Sequence, residues 1–587
     1  MSFKPIRFYG LIILMTILTS TAFADSYQWE PVVLDFTASK SMTWYNFPLR
    51  VTFTHPDSKT QITIDGYWDG DNSWKVRFAP SKSGIWNWKT SSSDSELNNK
   101  TGSFNAKSPT HSDKNNNPNL HGHLKISGDH RRLEYADGTP FLWIGDTNWA
   151  INADRCGLNN KNFYVYVNNR KDKKFNLIQI QFFGRNNYNE GGYPFPDNKG
   201  ENPGNGDWHP INPKYFKYVD TRMDYLFDQG FVVAGHPSWL SEAKITLTWA
   251  KRIVRYLMAR YGAYNTVWSL TGEYQFSRKD SDSLSSPNEW NQLGNYVQSI
   301  NQYHHPITIH PTYGAPSYIS GKTFKDYSSS GEFHNSSWLD INWIQTYAYV
   351  EDVSESVYVD YNKTPTKPVI MAEPAYEFYP SSSIDKQVYN KIDGNLSRLQ
   401  AWSAILCGAA GHTYGAWGVW QFYTPSHPQP GYSGKNSAAW STRLDAEGAS
   451  DMQYLKAFFL SSEFDWTTLV PHRDWLRING SKPTWPSRND FTPPHLAAED
   501  GKTYVVYVPS GNNGKTIAIT KLDRNPYQAR WFDPRNGKYT TIDNGPDGVD
   551  QWTLPSLPNN NDWVLLLTAK EYSLPATPTG FKVTVVK

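Results

Sequence analysis

The sequence predicts a multidomain chain: a central (β/α)8 TIM barrel flanked by an N-terminal β-sandwich and a C-terminal β-sandwich. Three observations lead there. Between residues 121 and 460, short buried apolar runs alternate with helical segments, which is the grammar of βα repeats, and eight strand candidates fit a barrel. On either side of that region the helical periodicity disappears and short alternating strands are separated by Gly, Asn, Asp and Ser. At 587 residues the chain is also too long for one hydrophobic core, so two to four domains are expected.

In chain order, Lys4 and Arg7 precede the apolar run YGLIILMTIL, and Ala22-Phe23-Ala24 supplies a small-x-small cleavage site. Residues 1–24 therefore read as a cleavable signal peptide, with the mature protein exported to a periplasmic or extracellular location. No cysteine directly follows the apolar run at the cleavage site, and no later stretch has the length and apolarity of a bilayer span, so no membrane insertion is expected. Residues 25–107 carry the strands FPLRVTFTH, TQITIDGYWDG, WKVRFAP and WNWKTSS of the first sandwich. Residues 108–120 are polar and rich in Asn and Pro, the composition of a linker.

The barrel opens with a hairpin turning at Ala136–Gly138 and a buried strand ending at Asp146. A helix over 161–173, the strand NLIQIQFFG and an irregular insertion over 185–213 follow. Next come a helix over 215–229, the strand FVVAGHP, a helix over 241–261 and the strand NTVWSLTGE. A helix over 287–303 then leads into the strands PITIHPT, LDINWIQTYA, KPVIMAEPA and HTYGAWGVWQF. Residues 461–587 form the second sandwich, with KTYVVYVPS, KTIAITKL, ARWFDPRNGKYTTI and DWVLLLTAK joined by Asn- and Gly-rich turns.

Composition narrows the function. Lys+Arg 57 against Asp+Glu 55 is near neutral and there is no polybasic run, which excludes nucleic acid as a partner on electrostatic grounds. The two cysteines, Cys156 and Cys407, could pair in an oxidising compartment or stay buried and reduced. No Cys/His spacing resembles a metal site, and neither a phosphate-cradling Gly loop nor a nicotinamide fingerprint is present, so no metal or cofactor is expected. Phe, Trp and Tyr make up 15% of the chain, with 25 Trp and 37 Tyr. A flat apolar face with a polar edge suits stacking on sugar rings, although all-β domains are aromatic-rich for packing reasons too.

Two apolar strands each run out at a carboxylate: NTVWSLTGE, ending at Glu273, and KPVIMAE, ending at Glu373. Counted in order they are strands four and seven. Acids at the carboxyl ends of barrel strands point into one shared site, and paired carboxylates are what glycoside hydrolysis requires. The second carboxylate attacks the anomeric carbon or activates water against it, and for a reaction that retains configuration the expected roles are acid/base for Glu273 and nucleophile for Glu373. The remaining strand ends supply candidate substrate-binding residues: Asp146, Asn148, Trp149, Gln181, Arg185, His236, Trp239, His310, Gln345, Tyr347, His412, Tyr414, Trp420 and Gln421. Amides, imidazoles and aromatic walls without a Ser-His-Asp pattern fit a neutral polyhydroxylated ligand, a carbohydrate. Asp146 is expected to accept from a sugar hydroxyl, and Tyr347 to hydrogen-bond the nucleophile. Two other readings stay open. One is a polysaccharide lyase with Tyr347 or His310 as base, for which only Arg185 would bind a uronate. The other is a non-catalytic glycan-binding protein acting through its sandwiches.

With these residues assembled, the barrel resembles the apiosidase-like glycoside hydrolase family over about residues 120–459. The resemblance is carried by FLWIGDTNWA, WSLTGEY, DINWIQTYAY, AEPAYE and CGAAGHTYGAWGVWQFY. The DGDNSWKVRFAPSKSGIWNW run is similar to a small domain found ahead of such barrels. WTTLVPH and ARWFDPRNGKY are similar to a following domain that carries a collagen-binding label in these proteins. The resemblance implies a (β/α)8 barrel with catalytic acids at Glu273 and Glu373. One position departs: the strand-four acid of the family is commonly Asp after two glycines, and here it is Glu273 after Thr271-Gly272. The extra methylene displaces the carboxyl by roughly one bond length, which bears on the carboxyl separation that sets stereochemical outcome. The resemblance thus implies the reaction class and leaves the sugar open.

Overall fold

The computed structural model describes residues 25–154, 159–184, 188–195, 210–239, 245–275, 284, 286–312, 328–346, 349–350, 352–379, 392–426, 438–483 and 493–570. The expected signal peptide, Cys156, Arg185, Tyr347 and much of the insertion after the second strand lie outside the described residues.

Eight parallel strands form the centre: β1 (Trp143–Thr147), β2 (Leu177–Gln181), β3 (Val232–His236), β4 (Thr266–Ser269), β5 (Ile307–Thr308), β6 (Asn342–Gln345), β7 (Val369–Glu373) and β8 (Gly411–Tyr414). Their spatial order is β5-β4-β3-β2-β1-β8-β7-β6, a barrel with its seam between β5 and β6. Across the seam Asp340 N donates to Ile307 O at 2.8 Å and Thr308 Oγ1 to Ile341 O at 2.9 Å. Every residue of these strands is buried, as strands covered on both faces must be.

The helices between and after them are α1 (Asn160–Asp172), α2 (Pro213–Asp228), α3 (Leu247–Tyr261), α4 (Pro287–Ile300), α5 (Ser330–Phe333), α6 (Asp352–Tyr361), α7 (Gly394–Leu406) and α8 (Glu447–Phe459). Their starts obey local chemistry. Thr246 accepts from Trp249 N and caps α3, which begins there rather than at the expected 241. Ser286 and Glu289 form a reciprocal capping box ahead of Pro287 on α4. That helix stops at Ile300, short of the expected 303; the Asn301 backbone N–H closes it on Gln298 O, and the Asn301 side-chain amide donates to His305 O at 2.7 Å.

A small antiparallel sheet (Leu124–Ile126, Leu133–Tyr135, Pro140–Phe141) turns at Gly138, whose φ of 89° suits glycine. It plugs the amino-terminal end of the barrel, where Leu124, Leu133 and Phe141 pack on the inward residues Leu177, Val232, Val267 and Ile370. Residues 108–120, expected as a linker, are structured. Thr110 and Asp113 cap the helix His111–Asn116, and a 3-10 turn over Pro118–His121 follows. The amide of Asn119 docks that turn on the carbonyls of Phe227 and Phe231 at 3.0 and 3.2 Å.

The amino-terminal unit is a five-stranded sheet facing a three-stranded one, over a core containing Trp74, Trp86 and the stacked pair Phe53–Phe78. The carboxyl-terminal unit pairs a six-stranded sheet with a three-stranded one over Leu476, Tyr504, Val506, Leu565 and Leu567. Both pack on the barrel through buried ion pairs, Arg260 with Asp69 and Arg398 with Asp562. The expectation for a Cys156–Cys407 pair falls on Cys156, outside the described residues. Cys407 is a buried free thiol at the carboxyl end of α7, with its sulfur 3.4 Å from His495 Nδ1 and 3.6 Å from Arg473.

Candidate active site

Glu273 and Glu373 sit on the carboxyl-end face, beyond β4 and at the last residue of β7. The backbone of Glu273 is left-handed, with φ of 41°. For a residue with a Cβ that conformation costs on the order of 1 kcal/mol, and the surrounding hydrogen bonds hold it. Gly272 N donates to Ser238 O at 3.2 Å and Tyr274 N to His310 O at 3.1 Å, so the turn is tied to the ends of β3 and β5. Gly272 is required by a close approach: a Cβ there would lie 2.4 Å from the Trp239 ring. That proximity lets Trp239 Nε1 donate to Glu273 Oε2 at 3.0 Å, while Gln345 Nε2, from the end of β6, donates to Oε1 at 3.0 Å.

Glu373 is held differently. The Tyr376 hydroxyl donates to its Oε1 at 2.5 Å. His310 Nε2 lies 2.9 Å from its Oε2, a close charge contact off the line of a hydrogen bond. His310 Nδ1 lies 2.8 Å from Pro311 O and is placed to donate to it, which directs Nε2 at the acid.

The electrostatics follow from this arrangement. Glu273 keeps some accessible surface but is walled by protein, and burial is the main force pushing its carboxyl up, to about 7. The charge of Glu373 pushes the same way, against His310 and the Trp239 and Gln345 hydrogen bonds. Burial alone would pull His310 down; its contact with Glu373 and the charges of both acids outweigh that and raise it. His236, buried behind His310 with ring centroids 5.4 Å apart, is pulled well below the ordinary histidine range by desolvation and by His310, and stays neutral.

The other expected residues divide into two groups. Trp149 stands edge-on to Trp239 at 4.7 Å and His236 at 5.0 Å, and its Nε1 donates to the Tyr376 hydroxyl at 3.1 Å. Trp420 packs 6.3 Å from Tyr376. Asn148, Gln181, His412 and Gln421 are buried at the same end, and desolvation takes His412 down to about 3. Two residues are engaged away from the acids. Asp146 is buried in an ion pair with Arg170 Nε at 2.6 Å and accepts from Tyr166 at 2.7 Å. The Tyr414 hydroxyl donates to Glu377 at 2.5 Å. Arg185 and Tyr347 fall outside the described residues. Among the described residues, the tyrosine contact to Glu373 comes from Tyr376, three residues beyond it, whose only sequence signal is its place in AEPAYE.

The comparisons bear on the barrel's family and fold. The family model described as "Apiosidase-like, catalytic domain" matches residues 127–467, more than half of the chain. A domain of unknown function matches residues 25–93, and a model described as "Putative collagen-binding domain of a collagenase" matches 488–568. Among curated proteins none matches. Among solved structures, a glycoside hydrolase is similar at 22% identity and TM-score 0.60, over 77% of this chain and 98% of its own. A glycoside hydrolase family 5 protein from Bacteroides vulgatus ATCC 8482 is similar at 23% identity and TM-score 0.63, over 78% and 97% respectively. At those identities the likeness carries the fold; the family model carries the membership. The chain belongs to the apiosidase-like family of glycoside hydrolases.

Proposed function

We propose that the protein is an exported enzyme that cleaves O-glycosidic bonds in plant or algal polysaccharide or oligosaccharide fragments, with Glu273 as acid/base and Glu373 as nucleophile. The observation that carries the assignment is the contrast between the two acids. Glu273, pushed up to about 7, holds its proton near neutral pH, as an acid that protonates a leaving oxygen must. Glu373 faces the Tyr376 hydroxyl on one oxygen and His310 on the other, partners that favour the carboxylate.

In this reading Glu373 attacks the anomeric carbon while the glycosidic C–O bond breaks, and its electron pair leaves with the oxygen that Glu273 protonates. The Glu273 carboxylate then takes a proton from water, whose oxygen displaces Glu373 and restores both groups. In this reading hydroxyl recognition and ring stacking fall to Gln345, Asn148, Gln181, Gln421 and Trp420, buried at the same end of the barrel, and to Trp239 beside Glu273. Export rests on the amino-terminal segment and its small-x-small cleavage site.

The test is a panel of plant and algal oligosaccharides with product anomers read by NMR, run on the parent and on Glu373→Gln. A fall of at least about 10³-fold in turnover with unchanged melting temperature is expected, the scale of losing a covalent catalyst. Parent-like turnover in that variant would refute the nucleophile assignment. Unsaturated products absorbing in the near ultraviolet would point to a lyase instead.

A further inference from the structure

We propose that Tyr376 is the positioning residue of Glu373, fixed by a hydrogen-bond chain Trp149 → Tyr376 → Glu373 that joins two separate sequence motifs; the proposal rests on Glu373 being the nucleophile. The chain has a defined direction. An indole N–H only donates, so Trp149 Nε1, at 3.1 Å, occupies an acceptor lone pair of the Tyr376 hydroxyl. The one phenolic proton is then left for Glu373 Oε1, at 2.5 Å. Burial first, and the Glu373 charge second, push the phenol well above its ordinary range, so it remains a donor at any working pH.

The tyrosine is also held on both flanks. Ala375 N donates to Gln400 Oε1 at 2.8 Å and Ala375 O accepts from Gln400 Nε2 at 3.2 Å, clamping the backbone to α7. Glu377 N donates to Gly415 O at 2.9 Å, tying the loop to the end of β8. A Cβ on Gly415 would lie 2.2 Å from the Tyr376 ring, so the glycine after HTY is what lets the ring reach the acid. The DTNW run beyond β1, the AEPAYE run beyond β7 and the HTYG run of β8 thus each supply one part of a single device.

A rigid donor on one oxygen fixes the carboxylate plane, favours the ionised nucleophile and stabilises the carboxylate again when it leaves. Among the described residues, the charged and titratable groups acting on Glu373 are His310 beyond β5, Glu273 beyond β4 and Tyr376 itself, with His236 behind His310. Removing the tyrosine takes away the one side-chain hydrogen bond to Glu373 Oε1 among the described residues, which disfavours the ionised nucleophile. Because the nucleophile must be ionised, the acidic limb of the kcat/KM profile then moves to higher pH.

The experiment uses full-length protein labelled with 13C at the glutamate carboxyls, with the Glu373 resonance assigned by its loss in Glu373→Gln. In Tyr376→Phe the Glu373 titration is expected to move up by about one unit, the scale of one lost hydrogen bond to a carboxylate. Trp149→Phe, which keeps a ring and loses the N–H, is expected to move it the same way by less. The double variant should move it no further than Tyr376→Phe alone, since the first link acts only through the second. On the oligosaccharide that the parent hydrolyses fastest, the acidic limb should shift by the same amount.

A Glu373 titration unmoved in both variants, with parent-like melting temperatures, would overturn the proposal. If Tyr376→Phe fails to fold, Trp149→Phe alone decides by the same measurement. Parent-like turnover in Glu373→Gln would remove the nucleophile reading, while the titration would still judge the chain of hydrogen bonds.

Discussion

Two glutamates on one face of a barrel differ in what surrounds them, and the difference is a matter of single hydrogen bonds. Trp239 Nε1 and Gln345 Nε2 each donate to Glu273 at 3.0 Å, and both hold its carboxyl down against the larger upward push of burial and of Glu373. A donor to a carboxylate favours the charged form, so removing one raises the Glu273 pKa further above about 7. In the proposed mechanism Glu273 acts protonated in the first step, hence activity is lost as pH rises through that pKa and the basic limb of kcat/KM moves to higher pH. Gln345→Leu and Trp239→Phe are each expected to shift that limb up by about half a unit to one unit while leaving the acidic limb in place. Tyr376→Phe moves the opposite limb. A pH–rate series on the three variants separates the two acids, and a Gln345→Leu profile displaced on its acidic side would reverse the role assignment.

Elements place those residues, and glycine is the sharpest lever on the placement. Gly272 leaves room for the Trp239 ring 2.4 Å from where a Cβ would sit, and that atom cannot be accommodated by a flexible side-chain end. Gly272→Ala is expected to displace Trp239, cost about 1–3 kcal/mol of stability as overpacking, and move the basic limb upward as Trp239→Phe does. Thermal melts beside pH profiles check it; a displaced melt with an unmoved limb would mean that Trp239 keeps its bond and that Gly272 matters for packing alone.

Much of this element-level picture was legible in the sequence. Strands covered on both faces are continuous apolar runs, and an acid where such a run stops must lie on the carboxyl-end face, so Glu273 and Glu373 could be put beyond β4 and at the end of β7 by counting. Contacts made through loops and helices were not legible. Asp146 looked free to bind a sugar, yet Arg170, 24 residues on in α1, neutralises it. Tyr376 looked like one more aromatic in a tyrosine-rich chain, because nothing local says that Trp149 and Gly415 will fold beside it. Residues 108–120 read as a linker from their Asn and Pro content, although Thr110 and Asp113 already spelled the capping box that orders them.

At the scale of the whole molecule the amino-terminal sandwich and the barrel share buried charge, and they are expected to unfold as one unit. Arg260, at the end of α3 and fully buried, donates to both oxygens of Asp220 on α2, at 2.8 and 2.5 Å, and to Asp69 of the sandwich at 3.0 Å. Its Nη1 reaches the Tyr256 hydroxyl at 2.9 Å, and Arg77 of the sandwich donates to its carbonyl. A buried pair adds little over an apolar replacement of both partners, but removing one partner strands the others without water or a counter-charge. Arg260→Met is therefore expected to destabilise by about 3–5 kcal/mol. The exposed pair Arg50–Asp65 offers the control, since Arg50→Ala at a solvated position is expected to cost less than about 1 kcal/mol. Calorimetry distinguishes the arrangements. With shared burial, Arg260→Met lowers one transition in which the tryptophans of sandwich and barrel melt together. Two separated transitions, with only one of them displaced, would mean that the sandwich folds on its own and that the charge network is a contact between independent domains.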